Sequence, residues 1–243
     1  MVLTSALRVQ TDAHAVFTAA DGGAAANPWL SWQYVQRNWG DISHALQQHT
    51  SLTLQAIGIA VLIAIPLGML AHLQPRLAAP IVGVSSVLYT IPSLALFTVL
   101  VPFTGIGRTP VLIGLVVYAL LVLVRNVIVG LGGVDDSVRD AARGLGYGRV
   151  RLLLTVELPN ALPAVIAGVR LATVTTVALV TVGVAVGYGG LGELIFRGFR
   201  NNKYHAEILT ATLLCLALAL LLDLVWWLIG RAVTPWARRR REA

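Results

Sequence analysis

Residues 135–159 read DDSVRDAARGLGYGRVRLLLTVELP and form the longest polar interruption between apolar segments that are themselves long enough to cross a bilayer. Asp135, Asp136 and Ser137 supply an acidic helix start, where unsatisfied backbone N–H groups and the helix dipole favour oxygen acceptors and negative charge. Val138, Ala141, Ala142 and Leu145 follow at i, i+3, i+4, i+7, one apolar stripe on a short helix, with Arg139, Asp140 and Arg143 on the other side. Gly144, Gly146 and Gly148 are expected to break that helix, because glycine takes left-handed backbone angles at little cost. Val150, Leu153 and Leu154 predict a second amphipathic turn or two, stopped at Pro159. The pattern is a helix–turn–helix on a membrane surface, with alanines small enough to let another protein approach closely.

The composition around this stretch is that of a membrane protein. Of 243 residues, 57% are hydrophobic and 12% charged, against about 25% charged in soluble domains, and mean hydropathy is +0.78. The net charge of +7 does not imply a nucleic-acid partner, because five of the 18 basic residues crowd the last 13 positions and the others are scattered over loops. Cys215 sits inside an apolar run and reads as a small core residue. His14, His44, His49, His72 and His205 are too dispersed for a metal centre or the convergent groups of a membrane enzyme, and His44 and His49 read as surface or interface residues.

In chain order, residues 1–27 read as a flexible tail without the basic start and apolar core of a signal peptide. Trp29, Trp32, Tyr34 and Trp39 then suggest a helix lying in the headgroup layer or packed on neighbouring loops, so residues 1–49 form a tail plus interfacial helix. Five transmembrane helices are expected at about 52–71, 79–102, 111–131, 162–186 and 207–230, each near the ~20 residues a bilayer core requires. They lie within a membrane domain at 50–232, followed by a basic cytoplasmic tail at 233–243. With the C-terminus cytoplasmic, ten arginines fall on the inner side and six basic residues on the outer, which puts the N-terminus outside and the 135–159 loop inside.

Within the spans, Pro92 is expected to kink the second helix and free a carbonyl one turn earlier, which makes Thr90, Pro92 and Ser93 candidates for lining a pathway. Thr176 joins them, as the last of Ala164, Gly168, Ala172 and Thr176, a small-residue face that permits close helix packing within or between subunits. Arg125, Arg170 and Asp223 are the charged residues inside spans, at depths that agree within about one helical turn. An isolated charge there is costly, so Asp223 is expected to pair with Arg125 or Arg170.

The loop resembles that of binding-protein-dependent ABC importer permeases, which carry Glu-Ala-Ala, three residues, Gly, nine residues, then Ile-x-Leu-Pro. Asp140-Ala141-Ala142, Gly146, Val156, Leu158 and Pro159 stand at those spacings, with Asp for Glu and Val for Ile. The stretches Thr90–Leu96, Gly105–Gly107, Leu123–Asn126, Glu157–Pro163 and Gly187–Gly192 resemble the branch that imports quaternary-amine osmoprotectants such as glycine betaine, choline and carnitine. The likeness covers roughly residues 50–232. It implies an all-α integral membrane fold of five transmembrane helices with a cytoplasmic coupling helix, a type I importer permease like that of the methionine importer. It also implies that Asp140, Ala141, Ala142, Arg143, Gly144, Gly146, Leu158 and Pro159 couple to an ATPase.

A phosphate-cradling loop needs Gly-Lys followed by Ser or Thr, and the single lysine, Lys203, lies between Asn202 and Tyr204. The expectation is therefore a non-enzymatic permease without a cofactor of its own. ATP would be bound by separate ABC ATPase subunits, solute by an external binding protein, and a second permease copy or paralogue would complete the pathway in a prokaryotic cell membrane. The alternatives are a sister branch importing amino acids such as methionine, or a secondary transporter or channel, which would show inverted repeats or intramembrane titratable relays.

Overall fold

The computed structural model describes residues 27–236. The expected tail before Asn27 and the basic run Arg238–Arg241 lie outside the described residues. Among the described residues ten α-helices follow one another: α1 Trp32–Arg37, α2 Trp39–Leu73, α3 Pro75–Thr90, α4 Ser93–Thr104, α5 Arg108–Gly132, α6 Asp136–Gly144, α7 Arg149–Leu152, α8 Leu158–Val180, α9 Leu191–Arg200 and α10 His205–Val233. A π turn at Leu153–Glu157 precedes α8 and a 3-10 turn at Thr181–Val186 follows it.

Among the described residues four continuous helical stretches are long and apolar enough to span a membrane, and the bent α3–α4 pair makes a fifth if it is counted as one broken span. The first is longer than the expected 52–71: α2 runs for 35 residues, about 50 Å at 1.5 Å per residue, against a hydrocarbon core of ~30 Å. The expected division between residues 49 and 50 thus falls inside one unbroken helix. The aromatic segment ahead of it is partly packed: Trp29 stacks on His205 with ring centroids 4.2 Å apart, and Tyr34 is buried, whereas Trp32 and Trp39 stay exposed.

The second span is a break and not the expected kink. α3 and α4 meet at 96°. A residue before proline is pushed out of the helical region, and Ile91 (φ −64°, ψ 128°) and Pro92 (φ −57°, ψ 135°) are both extended. Two successive extended residues turn the chain where a lone missing hydrogen bond would only bend it. The Tyr118 hydroxyl of α5 donates to the Ile91 carbonyl and satisfies it at membrane depth.

The core is centred on α5, with α2 and α8 against it: Leu52, Ala56, Ala60 and Ala64 meet Val111, Leu115 and Val124, with Phe97 from α4 and Ala172 from α8. The small face of α8 packs on α5 of the same chain. A Cβ at Gly168 would come within 2.5 Å of Asn126 Cβ. Thr176 is 1% exposed, so within this chain it is buried and not open to a pathway as expected. His49 is likewise not a surface group: it is fully buried. Its Nδ1 accepts from the Leu191 N–H at 3.3 Å, and its Nε2 lies 3.0 Å from the Val177 carbonyl, to which it donates as the Nε2–H tautomer. One imidazole thereby joins α2, α8 and α9.

Candidate coupling site

α6 begins as its sequence dictates, with Asp135 Oδ1 accepting from the Ser137 N–H at 2.8 Å. It is closed at Gly146, the one glycine of the 135–159 stretch in the left-handed region, at φ +82°. The Gly146 N–H bonds to the Arg143 carbonyl at 2.9 Å and the Tyr147 N–H to the Ala142 carbonyl at 3.1 Å. This paired closure satisfies the last carbonyls and requires a residue free of Cβ strain at its turn. Gly144 remains helical and Gly148 is extended (φ −71°, ψ 165°), so neither of them breaks the chain as expected.

Pro159 does not stop the following segment either. It sits in the first turn of α8, and the helical stretch runs unbroken from Arg149 to Val186. The π turn resolves the conflict: the Leu158 N–H reaches back five residues to the Leu153 carbonyl. One extra residue is thereby accommodated just before the position that lacks a donor.

The apolar stripe of α6 divides between two environments. Ala142 is buried within the chain, whereas Leu145 is 77% exposed and Ala141 is exposed. Val150 and Leu154 of the following segment are exposed as well. Asp140 and Arg143 are bonded to each other at 3.0 Å and both exposed. Leu158 and Pro159 are half-buried, and Leu158 packs against the Val127, Leu131 and Leu153 cluster. Both are among the residues expected to couple to an ATPase, and they stand where α8 enters the bundle.

Arg139 departs most from its sequence reading. Expected on the polar side with Asp140 and Arg143, it turns inward and its side chain is 13% exposed. Its Nε donates to Glu157 Oε1 at 2.8 Å, Nη1 to Asp136 Oδ1 at 2.7 Å and Nη2 to the Leu131 carbonyl at 2.7 Å. Burial works against the guanidinium's charge, but the hydrogen bonds to Asp136 and Glu157 outweigh it and raise the pKa above the ordinary arginine value. The other carboxylate oxygen, Glu157 Oε2, lies 3.1 Å from His72 Nε2 at the end of α2. An open cavity of about 370 Å³ adjoins this cluster, lined by His72, Arg143, Tyr147, Arg149 and Glu157 among others. The signal for Glu157 is present in the sequence: it is a lone acid in an apolar run, and such groups need a partner.

Of the three charges inside spans, two meet. Arg170 Nε and Nη2 donate to Asp223 Oδ1 and Oδ2 at 2.8 and 2.7 Å, a parallel fork between α8 and α10. The pair is half-buried, with side chains 35% and 30% exposed. Arg125 takes no part, because it is exposed and donates to Ser86 Oγ at 3.1 Å. Thr90 and Pro92 are exposed at the α3–α4 break and Ser93 is half-buried there. At the end of the molecule remote from α6, Arg197 of α9 bonds Asp41 of α2 at 2.7 Å and Glu207 of α10, and none of this was legible in advance. Among the described residues no cluster of three metal-ligating side chains occurs.

The helical bundle with its bent α3–α4 pair and glycine-closed α6 has the fold of the type I importer permeases. Two solved importers share the fold. The inward-facing MetNI methionine ABC transporter aligns at TM-score 0.73 with 24% identity, covering 78% of this chain and 94% of that one. An amino acid ABC transporter crystallised with histidines aligns at TM-score 0.68 with 16% identity, covering 84% and 99%.

Residues 17–239 match the model of the binding-protein-dependent transport system inner membrane component, and the chain belongs to that family. Its members are ABC transporter permease subunits, multi-pass membrane proteins that are not themselves catalytic. Among curated relatives, the carnitine transport permease protein OpuCB of Listeria monocytogenes is 36% identical over 211 residues, covering 86% of this chain and 96% of that one. The osmoprotectant import permease protein OsmW of Salmonella typhimurium is 36% identical over 203 residues, covering 82% and 93%. The choline transport system permease protein OpuBB of Bacillus subtilis is 32% identical over 209 residues, covering 86% and 95%.

Proposed function

We propose that this chain is the membrane subunit of an ATP-driven importer of quaternary-amine osmoprotectants, the class that includes glycine betaine, choline and carnitine. The observation that carries the reading is the 36% identity to a carnitine permease over nearly its whole length. The methionine and amino acid importers share the fold at 24% identity or less. Two copies, or this chain and a paralogue, would enclose the pathway, with Thr90, Pro92 and Ser93 at the exposed break between α3 and α4 facing it. The exposed Ala141, Leu145 and Val150 of the 135–159 loop, with exposed Asp140 and Arg143, suit docking into a groove on an ABC ATPase, which binds the ATP. An extracytoplasmic binding protein would deliver solute at the α1–α9 end. The arginine asymmetry supports an outside N-terminus and a cytoplasmic C-terminus.

The test is reconstitution of the complex in liposomes with radiolabelled glycine betaine, choline and carnitine, and with methionine as competitor. ATP-dependent uptake of at least one amine, undiminished by excess methionine, is expected. Preferred uptake of methionine would move the chain to the sister branch.

A further inference from the structure

We infer that the Arg139–Glu157–His72 cluster is the joint through which movement of the surface helix α6 is passed into the membrane bundle, with Glu157 as its central positioning residue. The inference rests on the importer reading above and assigns roles to three residues outside the docking face.

Fastenings of α6 to the rest of the chain are few. Ala142 is its one buried residue, Val138 is half-buried and Ala141 is exposed. Arg139 supplies the other attachment, and it is a strong one. Two of its donors reach out of α6 within 2.8 Å, to Glu157 and to the C-terminal Leu131 carbonyl of α5, while a third holds Asp136 of α6 itself. Charge-assisted bonds of this kind are shorter and roughly twice as strong as neutral ones. Glu157 is 6% exposed at the side chain and is held from the far side by His72. The cluster therefore clamps α6 to the ends of α2 and α5 and to the turn that opens α8.

Glu157 closes the π turn, a rare element and a frequent companion of functional sites. The open cavity beside it leaves space for the turn and for α6 to shift. A partner docked on the outer face of α6 would pull on Arg139, and the pull would reach α2, α5 and α8 through the joint. The docking face itself does not include Arg139 or Glu157. Severing the joint is therefore expected to leave docking intact while disconnecting it from the bundle.

The experiment uses the full permease–ATPase complex and compares wild type, Glu157→Gln, Arg139→Lys and the exchange Arg139→Glu/Glu157→Arg. Hydrogen–deuterium exchange is followed over residues 136–144 and 153–157, with and without trapping by ATP and vanadate. In the wild type both segments should change protection together on trapping. In Glu157→Gln only 136–144 should respond, with ATP hydrolysis retained. Transport per ATP should fall about tenfold, within the range that breaking one link of a coupling network produces. Arg139→Lys, which keeps the charge and loses the fork, should fall between, and the exchange should recover part of the joint response.

Joint responses and wild-type transport per ATP in both single variants would overturn the proposal. If Glu157→Gln does not assemble, Arg139→Lys decides alone: a normal coupling ratio refutes the joint, and a reduced one with retained hydrolysis supports it. The exchange readout needs no solute. A wild-type complex that imports none of the three amines would therefore sink the osmoprotectant reading, while the protection of the two segments still decides for or against the joint.

Discussion

Replacing Asp223 with Asn probes the fork between α8 and α10 most directly. The change keeps the side-chain volume but removes the charge that both Arg170 donors engage at 2.8 and 2.7 Å. Were the pair fully enclosed, losing one partner would cost about 3–5 kcal/mol, because the other charge is left buried and unpaired. Two facts reduce that figure. The side chains are 35% and 30% exposed, and an arginine stem can carry its head toward the interface. Interhelical hydrogen bonds in membranes average about 0.6 kcal/mol with a maximum near 1.7. The expected loss is therefore about 1–3 kcal/mol, lying between these limits. For a chain of this size each kcal/mol lowers the melting midpoint by about 2–4 °C. The purified complex should thus melt about 2–12 °C lower. The double variant Asp223→Asn/Arg170→Gln removes the stranded charge and should recover part of the loss. Arg170→Lys should not restore a wild-type midpoint, since lysine lacks the planar fork. A single variant that melts with the wild type, or a double variant no better than the single, would refute the assignment of a bracing pair.

Gly146→Val places a β-branched residue at φ +82° with nothing within 4 Å of the new Cβ, so strain and not clash is tested. A cost of about 1–2 kcal/mol at this turn should leave the protein inserted but reduce transport per ATP; wild-type transport would count against the coupling role of the loop. Gly190→Ala meets His49 Cβ at 2.8 Å and keeps φ at +54°. It should displace the imidazole that joins α2, α8 and α9 and lower the yield of folded protein, measured by monodispersity in detergent. Tyr118→Phe leaves the Ile91 carbonyl without its donor. A loss of about 1–3 kcal/mol is expected, read as a lower melting midpoint together with greater proteolytic nicking at the α3–α4 break.

What local chemistry determines was readable from the chain. Apolar runs set the number of spans, Asp135 and Gly146 set the limits of the surface helix, and the spacing from Asp140 to Pro159 carried the family. Each depends on interactions within a turn or two, or on the thickness of a bilayer. The outcome at Pro92 was half legible: proline ensures an interruption, but α4 settled at 96° because Phe97 packs into the core with Leu115 and Val111. Arg139 and Arg143 are one helical turn apart and look alike in sequence. The first is drawn inward by Glu157 and Leu131 while the second stays exposed.

Arg125 and Arg170 are equal candidates for Asp223 in the sequence, because residue counting measures depth along a helix and says nothing of rotation about its axis. Rotation is set by whole packed faces, here the seating of Gly168 on Asn126. On the same α8, Arg170 turns toward α10 and reaches Asp223. Arg125, on α5, is left to Ser86. His49 reads as a surface or interface group in the sequence for the same reason: whether a polar side chain is buried is decided by the helices that close over it, and those lie 128 and 142 residues further along the chain.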